Sequence, residues 1–187
     1  IPISAILIAE RQQGTLQRLA AMGLPFRFVL LGKLLPFFVV NQIQAVSMVA
    51  VGIWAVPLFG GEALVMPAGI GLFHCWLVAA AVSLAAVACA LLVASLAQTT
   101  QQSTIVGGIG NILMAAIGGI MVPKFMMPGA MQTLAEWSPM AWALNGFHTV
   151  MLRDGGFSAI LPDLLKLLAC AALAIAAASW LNRSRAA

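Results

Sequence analysis

The sequence predicts an all-α protein, a polytopic integral membrane helix bundle. Three observations carry this expectation. Hydrophobic residues make up 63% of the chain, charged residues only 7%, and the mean hydropathy is +1.05, whereas soluble domains carry about 25% charged residues. The apolar residues gather into runs near the ~20 residues that a bilayer crossing requires. The basic residues stand at the ends of those runs, as topology signals do. The formal charge of +4 is therefore no sign of nucleic-acid binding, and lipid is the expected surrounding.

The elements follow in order. Ile1–Ala9 is apolar but too short to cross, and it lacks the basic start of a signal peptide. It is expected to be the end of a truncated span, which makes the chain the C-terminal part of a longer protein. Residues 10–33 are a polar segment holding four of the nine basic residues. Spans are expected at 34–56, 68–97, 104–122 and 164–181. Gly60 and Gly61 mark the loop after the first span, and Pro67 suits the first turn of the second. Residues 98–103 form a tight polar turn. Residues 123–163 form an external region of re-entrant or interfacial helices. Within it Ser138-Pro139 reads as a helix start, and the apolar run Met140–Leu152 is short for a crossing.

Orientation follows from the basic residues. With 10–33 cytosolic, that side carries Arg11, Arg18, Arg27, Lys33, Arg183 and Arg185, and the other side carries Lys124, Arg153 and Lys166. Six against three favours this arrangement. Glu62, Glu136, Asp154 and Asp163 then lie outside, with Trp54 and Trp137 near the outer interface and Trp180 near the inner one.

The segment 10–33 is the most informative stretch. Leu16, Leu19, Ala20, Gly23 and Leu24 recur at helical spacing, with Gln12, Gln13, Gln17 and Arg18 on other faces. Gly23 suits a C-terminal cap, and Pro25 bars continuation. A short amphipathic helix over about Thr15–Met22 is expected, placed to touch a cytosolic partner. The pattern is also met by a surface loop that merely satisfies the positive-inside rule.

Glu10-Arg11-x-x-Gly14-Thr15-Leu16-x-x-Leu19, followed by Pro25 and Gly32-Lys33, resembles the type-2 family of ATP-binding-cassette export permeases. Gln101-Gln102, the run Gly118–Pro123, Met127-Pro128 and Ser138-Pro139 match in the same order, so the resemblance covers nearly the whole chain. It implies that Glu10, Arg11, Gly14, Thr15, Leu16, Arg18 and Leu19 belong to a cytosolic coupling helix that inserts into a cleft of an ATPase subunit. It also implies a second permease half, as a homo- or heterodimer, in the inner (plasma) membrane. ATP hydrolysis is expected in the separate subunit, with no cofactor and no covalent chemistry in this chain. Gly32-Lys33 is not a phosphate loop, because Arg27 stands where the first glycine is needed and Leu34 follows the lysine.

Other residues leave two readings each. Asn41 and Gln44 share a face of the first full span and either line a substrate path or bond between helices. Asn111 poses the same choice, within a stripe of Gly107, Asn111, Ala115 and Gly119 suited to close packing. His74 and His148 lack a second metal ligand at helical spacing. Arg153-Asp154 reads as a solvated turn pair. Cys75, Cys89 and Cys170 lie in apolar runs and read as small buried hydrophobes. A secondary transporter or channel not driven by ATP is the alternative, although away from the edges of the expected spans the chain offers only His74 for ion coupling. An intramembrane enzyme would need clustered acids or a nucleophile–base pair, and the five acids are scattered at membrane edges.

Overall fold

The computed structural model describes residues 6, 8–10, 13–15, 18, 22 and 26–183. All regular structure among them is helical, with no strand. Helix α1 runs Phe26–Ala50 and α2 Ile70–Leu96. They are followed by α3 (Thr100–Ile117), α4 (Gly129–Ala135), α5 (Pro139–Met151) and α6 (Phe157–Arg183). Three helices are long and apolar enough to cross a membrane, at Gly32–Leu58, Ile70–Leu96 and Phe157–Leu181. The 18 residues of α3 reach about 27 Å.

Specific contacts fix the helix directions. Leu34 near the start of α1 packs with Leu91 and Ala94 near the end of α2. Further along, Gln42 Nε2 donates to Ser83 Oγ at 2.8 Å. These two helices are therefore antiparallel. The rings of His74 and Phe157, near the starts of α2 and α6, lie 6.3 Å apart, and Cys89 meets Cys170 deeper in the bundle. α2 and α6 are therefore parallel. The start of α1 and the ends of α2 and α6 consequently share one end of the bundle.

The seam between α2 and α6 is built from small residues. Ala81, Ala85 and Ala88 on α2 and Ala171 and Ala174 on α6 belong to one buried core. Lipid is as apolar as a core, so close backbone approach and dispersion hold such helices together. Ala88 is fully buried there. Ala88→Leu is expected to overpack the seam and cost about 1–3 kcal/mol. A fall in melting temperature of the detergent-solubilised protein would show it, while an unchanged melt would place the seam elsewhere.

Local chemistry explains the breaks between helices. After α1 the chain widens into a π-turn at Val51–Ala55. Pro57 has no N–H to donate five residues back, which leaves the Gly52 carbonyl to accept the Leu64 N–H at 3.1 Å. The loop thus folds onto the helix, and a Cβ on Gly52 would stand 3.1 Å from Leu64 Cδ2. At the other end of α2, Thr99 Oγ1 accepts the Gln102 N–H at 3.1 Å and Gln102 Oε1 accepts the Gln98 N–H at 3.0 Å. This is a variant capping box, so helix α3 begins within the polar stretch. The helix ends at Ile117, ahead of the apolar run's end at Val122. Gly119 has φ +87° and the Ile120 N–H reaches the Ala115 carbonyl at 3.2 Å, which is a Schellman cap.

The region after α3 is compactly attached. A short 3-10 turn, Lys124–Met126, and α4 lead to α5. Ser138 precedes α5 as expected, but its hydroxyl makes no capping bond; it lies 4.0 Å from Met114 Sδ instead. Its carbonyl accepts the N–H groups of Ala141 and Trp142. α5 wedges between α2 and the end of α3. A Cβ on Gly146 would come within 3.1 Å of Val78, and one on Gly118 within 2.8 Å of Met140 Cβ.

Candidate functional site

The residues singled out by sequence fall at two places. The first is the bundle end that holds the start of α1. There the Gln13 N–H donates to the Ala9 carbonyl at 2.9 Å. Gly14 follows with φ +71°, the left-handed conformation that halts a helix and that glycine adopts without a Cβ penalty. Helical bonding then resumes, from the Arg18 N–H to the Gly14 carbonyl and from the Met22 N–H to the Arg18 carbonyl, each at 3.1 Å. Gly14 and Thr15 are half-buried, while Gln13, Arg18 and Met22 are exposed. Arg11, Leu16 and Leu19 lie outside the described residues, as do Gln12, Gln17, Ala20, Gly23, Leu24 and Pro25.

Glu10 is fastened to α1. Its Oε2 lies 2.5 Å from Lys33 Nζ, with side-chain exposures of 29% and 13%. A pair this sheltered is screened less by salt than a surface pair. It ties the segment before Gly14 to the base of the bundle. Ile8, two residues earlier in sequence, is 1% exposed.

The second place is the polar lining of the spans. Asn41 is half-buried and Gln44 exposed on α1, and Asn111 is exposed on α3. The structure does not gather them. Asn111 lines a groove between α2 and α3 of about 470 Å3, and neither Asn41 nor Gln44 does. The residue that bonds between helices is Gln42, through Ser83. Register did not mark it: on an ideal helix Asn41 lies about 40° from the core-packed Phe37 and Gln42 about 140° from it. The nearest atom to a Cβ on Gly107 is Val93 Cγ1 at 4.0 Å, and Gly119 serves as a cap.

Sequence reasoning missed a buried carboxylate at the opposite end. Asp163, 6% exposed on α6, accepts a hydrogen bond from Asn145 Nδ2 of α5 at 2.5 Å. Lys166 Nζ lies 3.8 Å from its other oxygen and 5.9 Å from the Trp142 ring centroid. Trp142 Nε1 in turn donates to the Glu136 carbonyl at 2.6 Å. His74 is buried among Phe73 and Phe157, and His148 is exposed. Among the described residues no group of three or more His, Cys, Asp or Glu side chains could hold a metal ion.

Long apolar helices bound by small-residue seams, with the Gly14 turn and the Glu10–Lys33 pair at one end, define a multi-pass membrane protein. The chain belongs to the ABC-2 type transporter family, whose family model matches residues 1–152. It is similar to the probable multidrug ABC transporter permease YbhR of Escherichia coli strain K12. That protein is 31% identical over 189 residues, covering 99% of this chain and 48% of its own length. It is also similar to the linearmycin resistance permease protein LnrN of Bacillus subtilis strain 168, 25% identical over 171 residues, covering 91% of this chain and 42% of that protein. The chain thus spans about half the length of the relatives it matches. No solved structure matches it.

Proposed function

We propose that this chain is part of the membrane-spanning permease of an ATP-driven exporter in the inner membrane. A separate ATPase subunit hydrolyses ATP, and a second permease half completes the pathway. The observation that carries the reading is the left-handed turn at Gly14, held against the base of α1 by the Glu10–Lys33 pair, in a chain of the ABC-2 family. The segment after that turn is the coupling helix. Motion of the ATPase pair pushes on it, and the ion pair passes the displacement to α1. The relatives' names, multidrug transport and linearmycin resistance, favour drugs as cargo.

In this reading α1, α2, α3 and α6 are the spans, and α4 and α5 form an external region that enters the membrane without crossing it. The 13 residues of α5 reach about 20 Å, short of a ~30 Å hydrocarbon core. The ion-coupled alternative would rely on His74 and Asp163, both buried in candidate spans. Reconstitution with the ATPase subunit separates the two readings. Export should require ATP and persist when ion gradients are collapsed. Export driven by a gradient without ATP would overturn the proposal.

Topology gives a further test. Single cysteines at 17, 129 and 154, in a background lacking native cysteines, are expected to label with an impermeant external reagent only at 129 and 154. External labelling at 17 would invert the arrangement. Labelling of 129 and 154 from opposite sides would show that the external region crosses.

A further inference from the structure

We propose that Trp142 of α5 and Asp163 of α6 bind the ammonium head of an alkylamine amphiphile, in a place that the chain's own Lys166 fills in this structure. The site goes beyond the exporter reading and does not depend on it. Its two walls supply the two interactions that favour an ammonium. Asp163 brings a negative charge and is 6% exposed. Trp142 brings an aromatic face, whose quadrupole attracts a cation within about 6 Å of the ring centroid. Both walls are set before a ligand arrives. Asp163 Oδ2 accepts from Asn145 Nδ2, and Trp142 Nε1 donates to the Glu136 carbonyl at 2.6 Å. Each stands on a helix, which fixes a site more closely than a loop does.

Lys166 shows which chemistry the place accepts. Its side chain is an ammonium on a four-carbon stem. Its Nζ stands 3.8 Å from Asp163 Oδ1 and 5.9 Å from the Trp142 ring centroid, so one ammonium meets both walls at once. It meets them loosely. The distance to Oδ1 exceeds the ~2.7–2.9 Å of a charge-assisted hydrogen bond. The lysine side chain is also 52% exposed, and a pair of that kind is weak. Exchange for another ammonium keeps a counter-charge beside the buried carboxylate, whose loss would be costly. The long lysine stem lets its own head swing out to solvent or headgroups. A neutral head gains neither interaction. The depth suits an amphiphile. Lys166 lies nine residues after Phe157, the start of α6, or about 14 Å at a ~1.5 Å rise per residue. The 27 residues of α6 reach about 40 Å, beyond a ~30 Å hydrocarbon core. The site therefore falls in the leaflet at the start of α6, where an alkyl tail can stay in hydrocarbon while its head reaches the carboxylate.

The test uses the full-length permease in phosphatidylcholine nanodiscs, without ATP or an ATPase subunit, so its outcome is separate from that of the export assay. The probe is tritiated dodecylammonium, with binding to empty nanodiscs subtracted. Saturable binding is expected, displaced by unlabelled dodecylammonium and not by dodecanol. Asp163→Asn should weaken it about tenfold through the lost charge attraction, and Trp142→Leu about fivefold through the lost ring face. Lys166→Met is the discriminating variant. It removes the competing ammonium, so affinity should rise about threefold, the worth of an exposed ion pair. A damaged fold does not produce such a gain. Absence of saturable binding overturns the proposal, as does displacement by dodecanol equal to that by the amine. Unchanged or lowered affinity in Lys166→Met overturns it too.

Discussion

Valine at Gly14 is expected to leave the protein in the membrane at normal levels and to reduce export at least tenfold. Gly14 has φ +71°, a region in which a β-branched residue is a steric outlier. Holding such a residue there costs about 1–3 kcal/mol, so the backbone relaxes instead. The relaxation re-aims the next turn, because the Gly14 carbonyl accepts the Arg18 N–H that starts it. Insertion is spared, since the segment lies at the end of the bundle and outside the three long apolar helices. Gly14→Asn discriminates conformation from bulk, because asparagine tolerates the left-handed region, and it should retain most export. Leu16→Asp tests the same segment by another route, placing an unpaired charge on the proposed docking face at a cost of several kcal/mol. Both Gly14→Val and Leu16→Asp should lose co-purification of the ATPase or its stimulation by substrate. Normal export in Gly14→Val would reduce this turn to a topology signal.

The long spans were legible because hydrocarbon thickness sets a length that composition must satisfy. Helices long and apolar enough to cross occupy Gly32–Leu58, Ile70–Leu96 and Phe157–Leu181, the last beginning seven residues before the run expected at 164–181. The faces of those helices were not legible. In water a core-facing stripe contrasts with a polar one, but lipid is as apolar as a helix seam. Sequence thus marked Asn41 and Gln44, while the interhelical bond belongs to Gln42. Burial is just as uneven and equally silent in the sequence. In their most apolar windows α2 is 44% buried and the first long helix 6%, which leaves α1 facing lipid or a partner. The end of α3 was readable in principle, since Gly118-Gly119 is a C-cap signal, but the apolar residues after it masked the break. The turn at Gly14 was legible as a motif by resemblance; its left-handed φ and the Glu10–Lys33 pair required three dimensions. Likewise Asp163 read as an edge residue, because nothing in the sequence joins it to Asn145.

That last pair supports the largest stability effect, and an asymmetric one. Asn145 is exposed, whereas Asp163 is 6% exposed. Asn145→Leu removes the short hydrogen bond and leaves the carboxylate with Lys166 at 3.8 Å, a lysine whose side chain is 52% exposed. An exposed, long pair of that kind contributes little. Leaving a buried carboxylate short of a hydrogen-bond donor costs about 3 kcal/mol, more than for a neutral group. Asp163→Leu instead leaves an amide that solvent can satisfy, so its cost should stay near 1 kcal/mol, the net worth of an ordinary hydrogen bond. The double replacement should recover most of the loss, since exchanging both partners for apolar groups is close to neutral. α5 is the element at stake, because Asn145 is its hydrogen bond to α6, and Gly146 beside it packs on Val78. Protease sensitivity between residues 129 and 156 and the melting temperature should therefore change together, most in Asn145→Leu and least in the double variant. Equal losses in the two single variants would mean that the carboxylate has other partners when α5 lets go, and that this bond does not hold α5 in place.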